Sequence, residues 1–478
     1  MARVGLCQNV MVEYMGLMCI SAVLKEAGHT VEVFIDDETN ERRFLAQLKS
    51  FEPDIVGFSL LSPALEWSLR VGRRVKETME TVTVYGGYHP IMNPEMIERP
   101  EVDIVCLGEG EFPMKELADC IDRDRSFSHI EGLWVKTGDG IVRNDIRKEL
   151  VDLEALPFHD RALYDKYYFF RHSKYLRPMN GRGCPFRCTY CGNRKLMDRY
   201  GRKRYVRKMN PERAIREIEY HMQQRDIKYI YFIDEVLWVD NEWLREFVAL
   251  YKQRVGVPFS ASYRFGSINE EDIKLLAEAG AAVFGLGVET ADEEQRRTLL
   301  GKNVTNDHVL EVAKLLRKYN ISWGCSALFG LPGDTVENFV KQLEFYREAK
   351  PRYLWTTFFT PFPDLKVTQE KAVQDLMPAN KTFALTFHHD MYLDLPDKDR
   401  LVRLKKIYFL LMLWPKATPF LVWLTRFRVP LLFDLMFLCH YSWYIRKFER
   451  ISWLQFLQHI KTFVVYPILK KMHLLRRR

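Results

Sequence analysis

Three cysteines stand within eight residues, in the run Gly183-Cys184-Pro185-Phe186-Arg187-Cys188-Thr189-Tyr190-Cys191. Thiolates this close together hold a metal or a metal cluster. A structural zinc closes its tetrahedron with four protein ligands, and no fourth Cys or His stands at a comparable spacing. A [4Fe-4S] cluster held by three thiolates leaves one iron open to a small molecule, and the spacing favours that reading. A zinc site completed by a distant residue is the alternative. Cys7, Cys19, Cys106, Cys120, Cys325 and Cys439 are scattered and read as core thiols in a reducing compartment.

Something must carry the three thiols. Apolar runs near Tyr175 to Asn180, Tyr229 to Ile233, Phe259 to Tyr263, Ala282 to Gly287, Trp323 to Phe329 and Tyr353 to Phe359 alternate with helical patterns. Six such strands predict a partial (βα) barrel, whose chemistry belongs at the strand C-terminal ends. The cysteine run follows the first of them, so the thiols fall on a loop at that face.

Cys-x3-Cys-x2-Cys with an aromatic residue before the last Cys resembles the signature of the radical S-adenosylmethionine (SAM) superfamily. The resemblance implies an enzyme with a [4Fe-4S] cluster on Cys184, Cys188 and Cys191, SAM on the open iron, and a 5′-deoxyadenosyl radical that removes a hydrogen atom. An external electron donor of the ferredoxin or flavodoxin type is implied with it. Other strand ends match the family too. Asp234 and Glu235 end the second strand, where relatives hold the amino group of SAM. Arg264 ends the third, Glu289 in Gly287-Val288-Glu289-Thr290 ends the fourth, and Gly330 opens the Gly330-Leu331-Pro332-Gly333-Asp334 turn after the fifth. These five are expected to bind SAM. An alternative makes Asp234 and Glu289 helix caps with Arg264 as their structural partner.

Upstream, the first 120 residues alternate strands and helices as a doubly wound parallel sheet does. The strand candidates are Val31 to Ile35, Asp54 to Phe58, Val82 to Tyr85 and Asp103 to Leu107. Leu17, Ile20, Val23, Leu24 and Ala27 keep helical spacing, with Gly28 where a C-cap belongs. Gly16-Leu17, Gly57-Phe58-Ser59, Gly86-Gly87-Tyr88-His89-Pro90 and Gly108-Glu109-Gly110-Glu111 resemble the cobalamin-binding domain fused to many radical SAM enzymes. Small residues at strand ends let a large planar cofactor lie against backbone. The resemblance implies that Gly16, Ser59, Gly86, Gly87, Gly108 and Glu109 contact cobalamin. No G-x-G-x-x-G follows the first strand, which disfavours a dinucleotide. No His is preceded two residues earlier by Asp, so the D-x-H-x-x-G motif that supplies a cobalt ligand is missing. Cobalt is therefore expected without His below it, with His89 as a hydrogen-bond partner in its turn.

The sequence thus predicts an α/β chain. A Rossmann-like cobalamin-binding domain occupies 1–125, a linker with a hairpin 126–172, the radical SAM partial barrel 173–365, and a basic, aromatic-rich helical region 366–478. The hairpin is placed at Leu133 to Val135 and Ile141 to Val142. The resemblance covers about 1–365 and looks closest to the branch of the anaerobic magnesium-protoporphyrin ester cyclases and cobalamin-dependent radical methylases. It implies methylation of an unactivated carbon, with oxidative cyclisation or rearrangement as the second reading and a non-catalytic iron-sulfur module as a third.

Of the chain's 71 basic residues, 15 lie from Leu401 to Arg478, against only Asp434 and Glu449. The other 56 are outnumbered by 61 acidic residues, so the tail carries all the net charge of +8. It also holds 16 aromatics, among them Trp414, Trp423, Trp443 and Trp453. The longest apolar stretch, Val429 to Ile445, is broken by Pro430, Asp434 and His440 and falls short of a membrane span. Basic residues around aromatic helices fit a segment lying in a membrane surface, and with it an apolar, lipid-like small-molecule substrate. A helical cap over the barrel is the alternative. Charges interleaved with bulky aliphatics do not suit nucleic acid. Met1 to Asn9 lacks a secretory start, so the expected location is the cytoplasm, peripheral to the inner face of the membrane.

Overall fold

The computed structural model describes residues 1–36, 40–237, 240–362, 365–379, 391–429 and 431–448, together with Leu457. Trp453 and nearly all of the tail beyond 448 lie outside the described residues, as do the side chains from 441 to 450, including that of Trp443.

The N-terminal sheet is built on β1 (Arg3–Gln8), β2 (Thr30–Ile35), β3 (Ile55–Ser59), β4 (Val82–Gly86) and β5 (Ile104–Cys106). These run parallel in the order β2-β1-β3-β4-β5. The chain reverses its direction of winding between β1 and β3, and in open α/β sheets ligands bind outside the strand ends at such a switch point. β1 is the strand that the periodicity did not predict. Gly5 interrupts its apolar run, yet a Cβ there would come within 2.9 Å of the Leu48 side chain. The helix Met15–Glu26 follows β1, buries Leu17, Met18, Val23 and Leu24, and ends before Gly28, whose φ of +90° the turn requires.

The segment expected as a linker belongs to this domain. β6 (Leu133–Thr137) and β7 (Gly140–Arg143) extend the sheet as an antiparallel hairpin beside β5, with Val135 opposite Ile104. Leu163, Tyr164 and Phe170 then fold back into the same core. Tyr164 donates to Gln8 Oε1 at 2.7 Å, which fixes the returning chain against β1. A hairpin edge looks like a linker in sequence because its partner strand lies 30 residues upstream.

The second sheet comprises β8 (Tyr175–Leu176), β11 (Tyr229–Tyr231), β12 (Phe259–Tyr263), β13 (Ala281–Glu289), β14 (Ser322–Phe329) and β15 (Tyr353–Phe358). A two-stranded ribbon, β9 (Gly181–Arg182) with β10 (Arg207–Lys208), brackets the cysteine loop. The six strands pair in parallel in sequence order, β8 to β15, and form an open partial barrel. Phe259, Phe284, Trp323 and Phe329 are buried in the barrel's core, while Tyr231 and Trp355 are exposed.

Four helices close the described C-terminal part: Lys398–Lys406, Tyr408–Leu413, Thr418–Leu424 and Leu432–Phe448. Leu404, Ile407, Leu411, Leu421 and Phe433 join the barrel's own core. Tyr408 donates to Leu354 O at 2.7 Å, and Arg347 donates to Leu411 O and Thr418 Oγ1 at 2.5 and 2.7 Å. Among the described residues no helix is long and apolar enough to cross a membrane.

Candidate active site

The two sheets face each other across one cleft of about 270 Å³, partly open to solvent. Gly16, Ser59, Gly86, Gly87, Gly108 and Glu109 all line it from the N-terminal side. Gly183, beside the first cluster cysteine, and Glu235 line it from the barrel side. Nothing stands within 4 Å of where a Gly16 Cβ would be, so that backbone is open to a cofactor. Gly108, at φ +88°, is different: a side chain there would run into the Tyr200 hydroxyl at 2.1 Å. Small residues at these strand ends give a flat wall on which a corrin can lie.

Glu109 faces the cleft rim and ties the two domains together. Its carboxylate accepts from Arg182 at 2.8 Å, from both nitrogens of the Arg207 fork, and from Val151 N at 2.8 Å. Burial pushes this carboxyl up, but Arg182 and Arg207 outweigh it and hold the group below its ordinary value. Arg182 also pairs with Glu111 at 2.5 Å. Neither arginine stood out in the sequence, because their partner Glu109 lies 73 residues from Arg182 and 98 from Arg207.

The cysteine loop runs from β9 into the helix Gly192–Tyr200. Burial pushes the Cys191 thiol up to about 11 and raises Cys184 as well, while the N–H groups of Asn193 and Phe186 donate to those sulfurs and favour thiolate. Arg264 donates to Cys188 Sγ at 3.1 Å, its guanidinium 4.2 Å above the Phe186 ring. Each sulfur therefore has a donor that supports negative charge, as an iron-sulfur cluster requires. Among the described residues no three His, Cys, Asp or Glu side chains converge on a single-ion site. In a four-iron cluster each of the three thiolates takes a separate iron.

The remaining barrel-end residues divide. Glu235 reaches the cleft, accepts from Asn193 Nδ2 at 3.4 Å, and has its carboxyl raised, chiefly by burial. Asp234 is turned away: one oxygen pairs with Lys208 Nζ at 2.6 Å and the other accepts from Asn180 N at 3.1 Å. Glu289 takes a positive φ of +71° and accepts from Tyr190 and Lys302 at 2.9 and 2.6 Å. Because Tyr190 lies inside the cysteine motif, this bond fastens the loop to the end of β13. Gly330 donates through its N–H to Asp334 Oδ2 at 2.8 Å, with Met391 against its Cα. Asp234, Arg264, Glu289 and Gly330 do not line the cleft that Glu235 shares with the glycines.

Two residues outside the sequence-based set join the halves. Tyr88, from the Gly86-Gly87 turn, packs its ring within about 3.3 Å of the Cβ position of Gly192, the residue after Cys191. Its hydroxyl donates to Asn193 Oδ1 at 3.3 Å, an oxygen that also accepts from Tyr205 at 2.5 Å. The signal for Asn193 was its place two residues past the last cysteine.

His89 is buried, with Nδ1 on Ser62 Oγ at 2.9 Å, and burial lowers it to about 4. It is neutral, occupied, and absent from the cleft wall. Cob(II)alamin bound to this protein is accordingly expected to give a paramagnetic resonance spectrum without nitrogen splitting from histidine, unchanged in His89→Ala. Splitting that disappears in that variant would put His89 on the cobalt.

Comparison with known proteins agrees with this geometry. The B12 binding domain family matches residues 5–118 and the Radical SAM superfamily residues 181–346. An uncharacterized methyltransferase of Pyrococcus horikoshii is 28% identical over 373 residues, spanning 76% of this chain and 79% of that protein. The anaerobic magnesium-protoporphyrin IX monomethyl ester cyclase of Rubrivivax gelatinosus is 27% identical, over 73% of this chain and 65% of its own length. The hopanoid C-3 methylase of Methylococcus capsulatus is also 27% identical, over 64% of this chain and 59% of its own. In fold, the cobalamin-dependent SAM radical enzyme OxsB, solved with aqua-cobalamin and SAM bound, superposes at a TM-score of 0.67. That superposition covers 99% of this chain and 75% of the other, at 16% identity. A sheet carrying the first domain, a six-stranded barrel carrying the second, three supported thiols and one shared cleft make this chain a radical SAM enzyme of the cobalamin-binding branch, with a [4Fe-4S] cluster, SAM and cobalamin as its cofactors.

Proposed function

We propose that the enzyme transfers a methyl group to an unactivated carbon of an apolar, lipid-like small molecule. The observation that carries this reading is the single cleft, lined both by the glycine wall and by Gly183 and Glu235. A methyl donor and a hydrogen-abstracting radical must reach the same carbon, and a cleft shared by both halves supports that reading.

In this reading Cys184, Cys188 and Cys191 hold the cluster, and Gly16, Ser59, Gly86, Gly87 and Gly108 bound the corrin. When bound, the cofactors supply reductive cleavage of SAM and a cobalt-carried methyl group, with electrons from an external ferredoxin- or flavodoxin-type donor. The chain's residues orient and shield. Glu235 offers a half-buried acceptor for the amino group of SAM, a task its neighbour Asp234 leaves to it by pairing with Lys208. Arg264 neutralises charge at Cys188, and Glu289 with Lys302 and Tyr190 stiffens the motif. Gly330 keeps its turn narrow, and Glu109 ties the cleft rim to Arg182 and Arg207.

The corrin takes the glycine wall, so the apolar class of the substrate is argued from the basic, aromatic-rich sequence from Leu401 to Arg478 instead. The relative named as a hopanoid methylase is in keeping with it. Oxidative cyclisation is the second reading, supported by the relatives named as ester cyclases. The deciding experiment incubates reduced, cluster-reconstituted enzyme with methyl-labelled SAM and extract of its own cell. Label in one apolar product, formed together with 5′-deoxyadenosine, is expected. 5′-Deoxyadenosine with no labelled product would replace methyl transfer by cyclisation.

A further inference from the structure

We propose that the helices from Tyr408 to Leu435 form a docking surface for an anionic lipid bilayer, entered by side chains and not spanned. This inference stands apart from the reaction proposed above.

The helix Thr418–Leu424 buries Leu421 and Thr418 against the barrel, yet its outward positions are apolar as well. Phe420 and Trp423 on the helix and Phe427 just past its end form a ladder, with ring centroids 5.9 and 4.8 Å apart. Trp414 and Phe420 are each 58% exposed and Trp423 47%. Leu413 and Leu435 are exposed as well. A single exposed aromatic is ordinary on a protein surface, but a continuous ladder of large rings in water is not.

Charge names the occupant. From Arg400 to Phe433 the sequence contains no Asp or Glu, while Lys416, Arg426 and Arg428 project among the rings. Arg428 reaches back to Asp399 at 2.5 Å and Asp434 pairs with Lys406, so the neighbouring acidic groups are engaged on their own side chains. A second protein would need acidic groups interleaved with apolar ones at matching spacing. Bilayer headgroups supply negative charge everywhere, with apolar depth beneath for Trp and Phe. Because no described helix is long and apolar enough to cross, the geometry is that of a segment lying in the interface.

The test is flotation of the full-length protein with vesicles of phosphatidylglycerol and phosphatidylcholine, and with phosphatidylcholine alone. Wild type is expected to float with the anionic vesicles and to lose binding as salt rises. Trp414→Ser/Phe420→Ser/Trp423→Ser/Phe427→Ser and Lys416→Glu/Arg426→Glu should each lower the bound fraction by about tenfold or more. All substitutions sit at exposed positions, and an unaltered circular dichroism melt identifies variants that fold. Wild type that stays with the pellet, or variants that float as well as it does, would overturn the proposal. So would light scattering that shows a wild-type dimer made monomeric by the ring substitutions, which would make this face a contact between copies.

Discussion

Replacing Cys184, Cys188 and Cys191 together by Ala is expected to abolish the four-iron absorbance and the release of 5′-deoxyadenosine from SAM, while leaving the fold intact. The loss should be complete. The expectation follows from the proposed role of the three sulfurs as ligands of a cluster that keeps one iron open. The fold should survive because the loop is anchored elsewhere, by Glu289 on Tyr190 and by Thr189 N on Leu300 O at 3.2 Å. Iron content, the visible spectrum and chromatographic detection of 5′-deoxyadenosine check the first part, and a thermal melt of the cluster-free protein checks the second. Cleavage of SAM by the triple variant would remove these cysteines from the chemistry.

Glu109→Gln has the second large effect, and it acts on docking of the halves. The carboxylate is mostly buried between Arg182 and Arg207, so its neutral isostere leaves Arg207 without its anion and Arg182 with Glu111 alone. Removing one partner of a buried charge network costs about 3 kcal/mol. The pH dependence follows from the depressed carboxyl. Its contribution is fully present above the unfolded value of 4.5 and is lost as pH falls through the lower folded value. Wild type should therefore lose stability below about pH 4.5 more steeply than Glu109→Gln, a difference visible in chemical denaturation at neutral and acid pH. Parallel acid profiles for the two proteins would show that the clamp carries no stability.

The legibility of the sequence tracked how local each signal was. Barrel strands such as Phe259–Tyr263 and Ser322–Phe329 carry enough aromatic and aliphatic residues between helical patterns to show within one or two residues, although serines interrupt them. β1 escaped because Gly5 weakens its pattern, although packing against Leu48 is what demands that glycine. The hairpin passed for a linker because only its pairing with Ile104–Cys106 makes it sheet. The cysteine run and the glycine ends stand out in the sequence because each lies inside a compact motif, and the glycine ends line the cleft. Lys208 as the partner of Asp234, and the Tyr88-Asn193-Tyr205 bridge, depend on chain crossings 12 to 105 residues apart, which no local pattern records.

The hairpin and the returning Tyr164 also bear on how such proteins could be recombined. A junction at residue 125 would cut through a single hydrophobic core, stripping β5 of its neighbour and Gln8 of its partner. Even a junction near 172 would separate Tyr88 from Gly192 and Glu109 from both its arginines. The heritable part is therefore larger than the cofactor domain. A chimera that borrows a cobalamin half from another enzyme must bring Arg182, Asn193 and Arg207 with it, so the two halves have to change together.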